Sequence, residues 1–152
     1  MSTTYLGRIA SRTDKVSKSL IEALERIPAD KLDWAPAETS RSAIDQFAEC
    51  AMLNGVTADT IEAGQWLAMD FPEYLAKKAD MVAKGPEALK TILKENTARL
   101  VTILNKTAQD PDQSVETQFG PMTWDDILGY PMWNMSYHEG QINYIASILG
   151  TL

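Results

Sequence analysis

Two polar side chains interrupt an apolar stripe near the end of the sequence. Asn134 and His138 are four residues apart, so on a helix they lie on adjacent turns of one face. Apolar residues at intervals of three or four complete that face, namely Ile127, Pro131, Ile142, Ile145 and Leu149. A polar group buried without a partner costs about 1–3 kcal/mol, so both side chains need hydrogen-bond partners or a ligand.

Three further residues extend this candidate site. Asn96 interrupts the apolar stripe of another predicted helix, and Glu49 and Cys50 lie near the inner face of a third. Helical bundles build ligand and metal sites from polar groups that several helices direct into a shared interior. We therefore take His138, Asn134, Glu49, Cys50 and Asn96 as the residues of a candidate binding pocket.

Each of these residues also has a structural interpretation, which the residue types favour. His138 is then a core imidazole hydrogen-bonded across the bundle, and Cys50 is a small buried hydrophobe. Glu49 is a solvated residue at the edge of its helix. Asn96 and Asn134 form one structural polar network.

The first half of the chain predicts two helices. Apolar residues spaced by threes and fours predict a helix from Leu6 to Ile27, which Pro28 ends. A second helix is predicted to start after a cap at Thr39 or Ser40 and to end near Trp66. The spacing gives each helix an apolar stripe to bury against the others.

The second half predicts two more helices after a polar connector. The segment 70–85 is the least periodic and predicts a loop with at most a short helix. Pro86 suits the first turn of a third helix. The last helix is predicted to begin with a capping box at residues 123–126, to kink at Pro131 and to end before Gly150.

The predicted fold is all-α, because no segment alternates apolar and polar residues well enough to predict a strand. We expect a single domain over residues 1–152, built as a four-helix bundle with a kinked last helix and a polar connector between helices two and three. At 45% hydrophobic and 23% charged residues, the composition is that of an ordinary globular protein.

Composition also disfavours several classes of function and location. The net charge of −7, from 14 basic and 21 acidic residues, would repel a phosphate backbone, so we expect no binding to nucleic acid. No apolar run approaches the roughly 20 residues of a membrane span, and the first residues do not resemble a signal peptide. A single cysteine, Cys50, cannot form an intramolecular disulfide and is consistent with the cytoplasm.

Three segments resemble the DinB-like superfamily. Residues 123–145 resemble its closing helix, which typically carries His-x-x-x-His followed by a small pair and Gly-Gln-Ile; His138 and residues 140–142 match this pattern. Residues 27–36 resemble the linker after its first helix, and residues 42–50 resemble the start of its second helix. The resemblance implies a bacterial helical bundle that forms a homodimer.

The sequence departs from this family at the metal site that the resemblance implies. The usual ligands are one histidine on helix two and two on the last helix, but His138 is the only histidine in the chain. Asn134 stands at the other last-helix position, and the helix-two position falls at Glu49 or Cys50. Asn134 is a weak ligand for zinc or nickel. We therefore expect no cofactor, with a divalent ion held by His138 and Glu49 or Cys50 as the alternative.

The preferred hypothesis is a non-catalytic DinB-like bundle, or one with an altered site, that binds a small, partly apolar molecule between its helices. The resemblance leaves open a divalent-metal-dependent transferase acting on a thiol such as bacillithiol or mycothiol, with non-standard ligands. It also leaves open a stress-associated protein-interaction module. Six aromatic residues are expected to pack in the core rather than to line a pocket, namely Trp34, Trp66, Trp124, Trp133, Tyr130 and Tyr137.

Overall fold

The computed structural model describes residues 4–152, and they form five α-helices and one β-hairpin. The elements are α1 (Tyr5–Glu25), α2 (Ala43–Ala63), α3 (Phe71–Ala83), α4 (Pro86–Leu104), β1 (Ser114–Thr117), β2 (Gly120–Thr123) and α5 (Trp124–Leu149). The chain is mostly helical, as the sequence predicts. No helix within the described part of the chain combines the length and apolarity needed to cross a bilayer.

Side-chain caps define the ends of the helices. The Ser42 hydroxyl accepts a hydrogen bond from the Asp45 amide, so α2 begins two residues later than a cap at Ser40 would place it. In α5 the predicted capping box is present: Thr123 Oγ1 accepts from the Asp126 amide at 3.2 Å, and the Asp126 carboxylate accepts from the Thr123 amide at 2.8 Å. Pro131 lies inside this helix, and the kink predicted there stays a prediction.

Helix α3 occupies the segment that the sequence predicts to be a polar connector. The Asp70 carboxylate caps it by accepting from the Glu73 amide at 2.8 Å. None of its residues is buried, and it is held to α2 by polar contacts of Tyr74 and Lys78. Met81 and Val82, in its last turn, are partly buried against the core. The prediction of a loop with at most a short helix is therefore wrong for this segment.

The hairpin also contradicts the expectation that the chain has no strand. Strands β1 and β2 pair antiparallel, with Ser114 opposite Thr123 and Thr117 opposite Gly120. Each strand is only four residues long, too short for an alternating pattern to stand out in the sequence. The predicted number of elements is therefore wrong, because α3 and the hairpin are present in addition to the four predicted helices. Both of these elements contribute to the candidate site.

The four long helices enclose two apolar clusters separated by a polar layer. The first cluster includes Leu20, Phe47, Leu93 and Ile142, and the second includes Ile61, Leu100, Trp124 and Leu128. The polar layer consists of Thr13, Asn54 and Thr97, all at most 2% exposed. Within it Asn54 Nδ2 donates to Thr97 Oγ1 at 3.0 Å and contacts Met135 Sδ at 3.4 Å, which links α2 to α4 and α5.

Candidate functional site

His138 and Glu49 meet between α5 and α2. Nε2 of His138 lies 3.0 Å from Oε1 of Glu49, and the side chains are buried. Because an ionised carboxylate can only accept, Nε2 donates in this bond. On the other side of the ring, Nδ1 lies 2.8 Å from Oε1 of Gln46 and 2.9 Å from Oε1 of Gln141. The structure thus places His138 as the hydrogen-bonded core imidazole that the sequence favours.

The position of Glu49 corrects the expectation that it is solvated. Only 7% of Glu49 is exposed, and Oε2 accepts hydrogen bonds from Arg41 Nη1 at 2.7 Å and from the Tyr74 hydroxyl at 2.5 Å. Burial by itself raises the pKa of the Glu49 carboxyl, but the hydrogen bonds from His138 and Tyr74 and the charge of Arg41 outweigh it and lower the pKa to about 2. Glu49 is therefore ionised at neutral pH.

We call Arg41, Gln46, Glu49, Tyr74 and His138 the Glu49–His138 cluster. Three of these residues, Arg41, Gln46 and Tyr74, are not among the site residues predicted from the sequence. The spacing of four between Arg41 and Asp45, and again between Asp45 and Glu49, was available as evidence of a charged helix edge. Nothing in the sequence indicates Tyr74, because it belongs to α3, a helix that the sequence did not predict.

Both oxygens of the Glu49 carboxylate have partners within the protein.

Cys50 and Asn134 lie beside this cluster but in a less polar environment. Cys50 is completely buried, and Asn134 Nδ2 points at its sulfur at 3.7 Å. Burial, together with the negative charge of Glu49, raises the pKa of the Cys50 thiol well above its ordinary value. The thiol is therefore protonated, which agrees with its interpretation as a small buried hydrophobe.

Asn96 lies outside the candidate site. Its Nδ2 donates to the carbonyl of Ala51 at 2.9 Å, on the side of α2 that faces α4. Gly55 makes room for this contact, since a Cβ there would lie 2.8 Å from Asn96 Nδ2. The prediction that Asn96 and Asn134 form one network is wrong, because they contact different groups of α2.

A cavity of about 470 Å³ opens next to the Glu49–His138 cluster. Helices α2, α3 and α5, the segment after α2 and the hairpin provide its wall. The lining is largely apolar and aromatic and consists of Glu49, Leu53, Val56, Thr57, Thr60, Trp66, Leu67, Met69, Phe71, Tyr74, Gln118, Phe119, Met122, Ile127 and Tyr130. Among these described residues, Glu49 is the only charged one.

The tip of the hairpin forms part of the outer rim of the cavity. Gln118 Nε2 donates to the Met69 carbonyl at 2.6 Å, and its Oε1 accepts from the Met69 amide at 3.0 Å and from Trp66 Nε1 at 3.3 Å. Phe119 packs edge-on against Trp66, with ring centroids 6.1 Å apart. The two elements that the sequence failed to predict, α3 and the hairpin, thus complete this cavity.

The aromatic residues divide between core, cavity and surface. Trp124 is buried in the second apolar cluster, as expected. Tyr130 lines the cavity, and Trp66 lines it while also packing, partly buried, against the second apolar cluster. Trp133 and Tyr137 are 57% and 52% exposed and stack on each other on the outside of α5. Trp34 packs, partly buried, against the first apolar cluster. The expectation that these residues pack in the core rather than line a pocket is therefore wrong for Tyr130, Trp133 and Tyr137.

Solved structures share the fold of this protein over nearly all of the chain. A DinB-like protein of Bacillus subtilis, YjoA, superposes with a TM-score of 0.69 at 21% identity, covering 95% of this chain and 93% of that protein. The chain has the DinB-like fold. No protein-family model matches the sequence, and no curated protein shows significant similarity to it.

Two further proteins with this fold carry functional names. The mycothiol-dependent maleylpyruvate isomerase superposes with a TM-score of 0.70 at 15% identity; the match covers 93% of this chain but only 63% of the isomerase. The colibactin self-resistance protein ClbS, crystallised in complex with double-stranded DNA, superposes with a TM-score of 0.66 at 13% identity, covering 91% of this chain and 94% of ClbS. At these identities the likeness concerns the fold.

The residues present in this chain do not fit the metal ion that the sequence resemblance implies. The second acceptor oxygen of Glu49 faces the Arg41 guanidinium, so a cation of the protein itself occupies the place beside the carboxylate. Cys50 is protonated, and Asn134 is engaged with its sulfur. Within residues 4–152 no three histidine, cysteine or acidic side chains come together around one point. A stable zinc or nickel site needs three or four such ligands.

Titration of the tag-free protein with Zn²⁺ and Ni²⁺ tests this disagreement. We expect calorimetry to show no saturable binding at one ion per chain, because the Arg41 charge repels a cation at Glu49. The His138→Ala variant serves as the matched control and is expected to bind these ions as weakly as the unmodified chain. One tightly held ion per chain that is lost in His138→Ala would restore the mixed site of His138 and Glu49.

Proposed function

We propose that this chain binds a small, largely apolar molecule in the cavity beside Glu49, without metal-dependent catalysis. The observation that carries the proposal is the cavity itself. Its volume of about 470 Å³ falls in the range of small-molecule sites, and its wall combines many apolar side chains with a few polar ones. Both properties are typical of ligand pockets rather than of packing defects.

The state of the Glu49–His138 cluster supports binding over catalysis. The carboxylate of Glu49 and both ring nitrogens of His138 are occupied by neighbouring side chains. A general base must lie within hydrogen-bond reach of its substrate, and His138 does not line the cavity. Cys50 is no better placed, because its thiol is completely buried and protonated. Within the cluster only Glu49 and Tyr74 line the cavity, and they give it one polar end.

The other hypotheses have weaker support. The thiol-dependent transferase needs a metal ion to activate the thiol, and the donor set does not fit one. A homodimer is consistent with the exposed aromatic residues on α5, Trp133, Tyr137 and Tyr144. The cytoplasmic location and the lack of nucleic-acid binding stay predictions, the second of them based on the net charge of −7.

The proposal is tested by filling the cavity. Leu53 lines it from α2 and is half-buried, so Leu53→Trp places an indole in the cavity with little effect on the core. We expect the affinity for the uncharged fluorescent probe N-phenylnaphthylamine to fall at least tenfold. The matched control is Ser11→Trp, at an exposed position of α1, which should bind the probe as the unmodified chain does.

Circular dichroism should show that both variants keep their helix content. Two outcomes would contradict the proposal. One is that the unmodified chain does not bind N-phenylnaphthylamine. The other is that folded Leu53→Trp binds the probe as tightly as Ser11→Trp, which would place the probe elsewhere on the molecule.

A further inference from the structure

We infer that the cavity selects an uncharged ligand and anchors it by a hydrogen bond between the Tyr130 hydroxyl and an acceptor oxygen of that ligand, such as a ketone. This inference rests on the proposed binding function and specifies the class of molecule that is bound. It follows from the charges in the wall of the cavity and from three hydroxyl groups that have no partner within the described residues.

The charges in the wall disfavour ions of either sign. No lysine or arginine belongs to the described lining, so a carboxylate or phosphate would lose its hydration without meeting a cation. The lining includes one ionised group, the Glu49 carboxylate, and this would repel an anion. A cationic ligand would have to compete for Glu49 with Arg41, which already lies 2.7 Å from it. An uncharged molecule meets neither penalty.

The polar groups that remain in the lining are hydroxyls. No hydrogen bond joins Thr57, Thr60 or Tyr130 to another described residue. Both threonines are nevertheless buried, with 8% of Thr57 and 2% of Thr60 exposed. Their oxygens are nonetheless open to the cavity, because Asn54 Oδ1 is the only fully enclosed side-chain oxygen or nitrogen without a partner in residues 4–152. Buried hydroxyl groups normally have a partner, and a ligand in the cavity could accept or donate a hydrogen bond at each of these three positions.

Tyr130 is the strongest donor of the three. It lies at the end of the cavity near Glu49, and its ring packs against Trp133 at a centroid distance of 5.8 Å. Burial, with a contribution from the negative charge of Glu49, raises the pKa of Tyr130 to about 12. The hydroxyl therefore keeps its proton at any physiological pH and is available to donate. A phenol donor best recognises an acceptor such as a carbonyl oxygen.

A pair of matched probes tests the selection by charge. N-phenylnaphthylamine and anilinonaphthalene sulfonate share one ring system and differ in the sulfonate group. We expect the uncharged amine to bind at least ten times more tightly than the sulfonate, and we expect Leu53→Trp to weaken the binding of the amine. If the sulfonate binds to the same cavity as tightly as the amine or more so, selection for an uncharged ligand is wrong.

The anchor is tested with Tyr130→Phe, which keeps the ring and removes the hydroxyl. The uncharged ketone Prodan should lose about five- to tenfold in affinity, the effect of one hydrogen bond, whereas N-phenylnaphthylamine should change by less than about twofold. Thr60→Val, which removes a different hydroxyl, should have the smaller effect on Prodan. Equal affinities of Prodan for Tyr130→Phe and the unmodified chain would overturn the anchor.

These outcomes separate the ligand class from the binding function itself. Probe binding that responds to Leu53→Trp but not to charge or to Tyr130→Phe would refute only the ligand class. A lack of binding by every uncharged probe would refute the proposed function as well. Thermal unfolding of each variant by circular dichroism identifies any loss of affinity that is due to misfolding.

Discussion

Replacing Glu49 by glutamine should lower the free energy of unfolding by about 2–3 kcal/mol at pH 7 and by much less at pH 3. The partners of Glu49 lower its pKa in the folded protein from the ordinary 4.5 to about 2, a difference equivalent to about 3 kcal/mol. Arg41 is about a third exposed, so solvent screening reduces this figure somewhat.

The sign of the pH dependence follows from the direction of the shift. Because the pKa of Glu49 is lower in the folded state, its ionised form stabilises the fold fully above pH 4.5. This contribution is lost as the pH falls from 4.5 towards 2. The advantage of the unmodified chain over Glu49→Gln should therefore shrink across that interval.

Urea unfolding followed by tryptophan fluorescence at pH 7, 5, 4 and 3 measures this difference directly. Glu62→Gln is the matched control, because Glu62 is on the same helix and also pairs with an arginine, but its side chain is 51% exposed. We expect that control to change stability by less than about 1 kcal/mol. If the deficit of Glu49→Gln stays constant from pH 7 to pH 3, the charge of Glu49 does not stabilise the fold.

The second large effect is expected for Trp124→Ala, which should cost about 3–5 kcal/mol. Trp124 is 1% exposed and packs in the second apolar cluster. Its amide also donates to the Gln113 carbonyl at 3.0 Å, where the hairpin joins α5. Removing the indole therefore leaves a void beneath the junction that positions Met122 and Ile127 in the cavity wall.

Trp133→Ala provides the comparison, since the same residue type on the same helix is 57% exposed. Chemical denaturation should show a change within about 0.5 kcal/mol for this variant. A loss as large as that of Trp124→Ala would mean that this face of α5 is covered in solution. That result, together with a stability that depends on protein concentration, would support the predicted homodimer.

The elements that the sequence predicts well are those that bury a continuous apolar stripe. The last helix illustrates this: its capping box, its inner face and its terminal Gly150 are all present as predicted. The spacing of Asn134 and His138 correctly places both in the interior. These features are local, because they depend on residues within a few helical turns.

The features that the sequence did not predict depend on contacts between distant segments. Glu49 has the spacing of a helix-edge residue, and only its contacts with Arg41, Tyr74 and His138 explain why it is buried. Gln118 lies in the turn of the hairpin, where no periodicity exists, yet it joins the hairpin to Met69, 49 residues away, at the wall of the cavity. The spacing of residues within one helix or strand cannot predict contacts between segments that are far apart in the sequence.

The polar layer of Thr13, Asn54 and Thr97 fixes how far the long helices can slide along one another. A slip of α2 by one turn, about 5.4 Å, would move the Asn54 amide from Thr97 and Met135 into the leucines of α4. Glu49 precedes Asn54 by five residues, and His138 follows Met135 by three. The alignment in which the Asn54 amide nitrogen meets Thr97 and Met135 is therefore also the one in which Glu49 and His138 meet. A residue that does not itself line the cavity thus determines which side chains lie at its polar end.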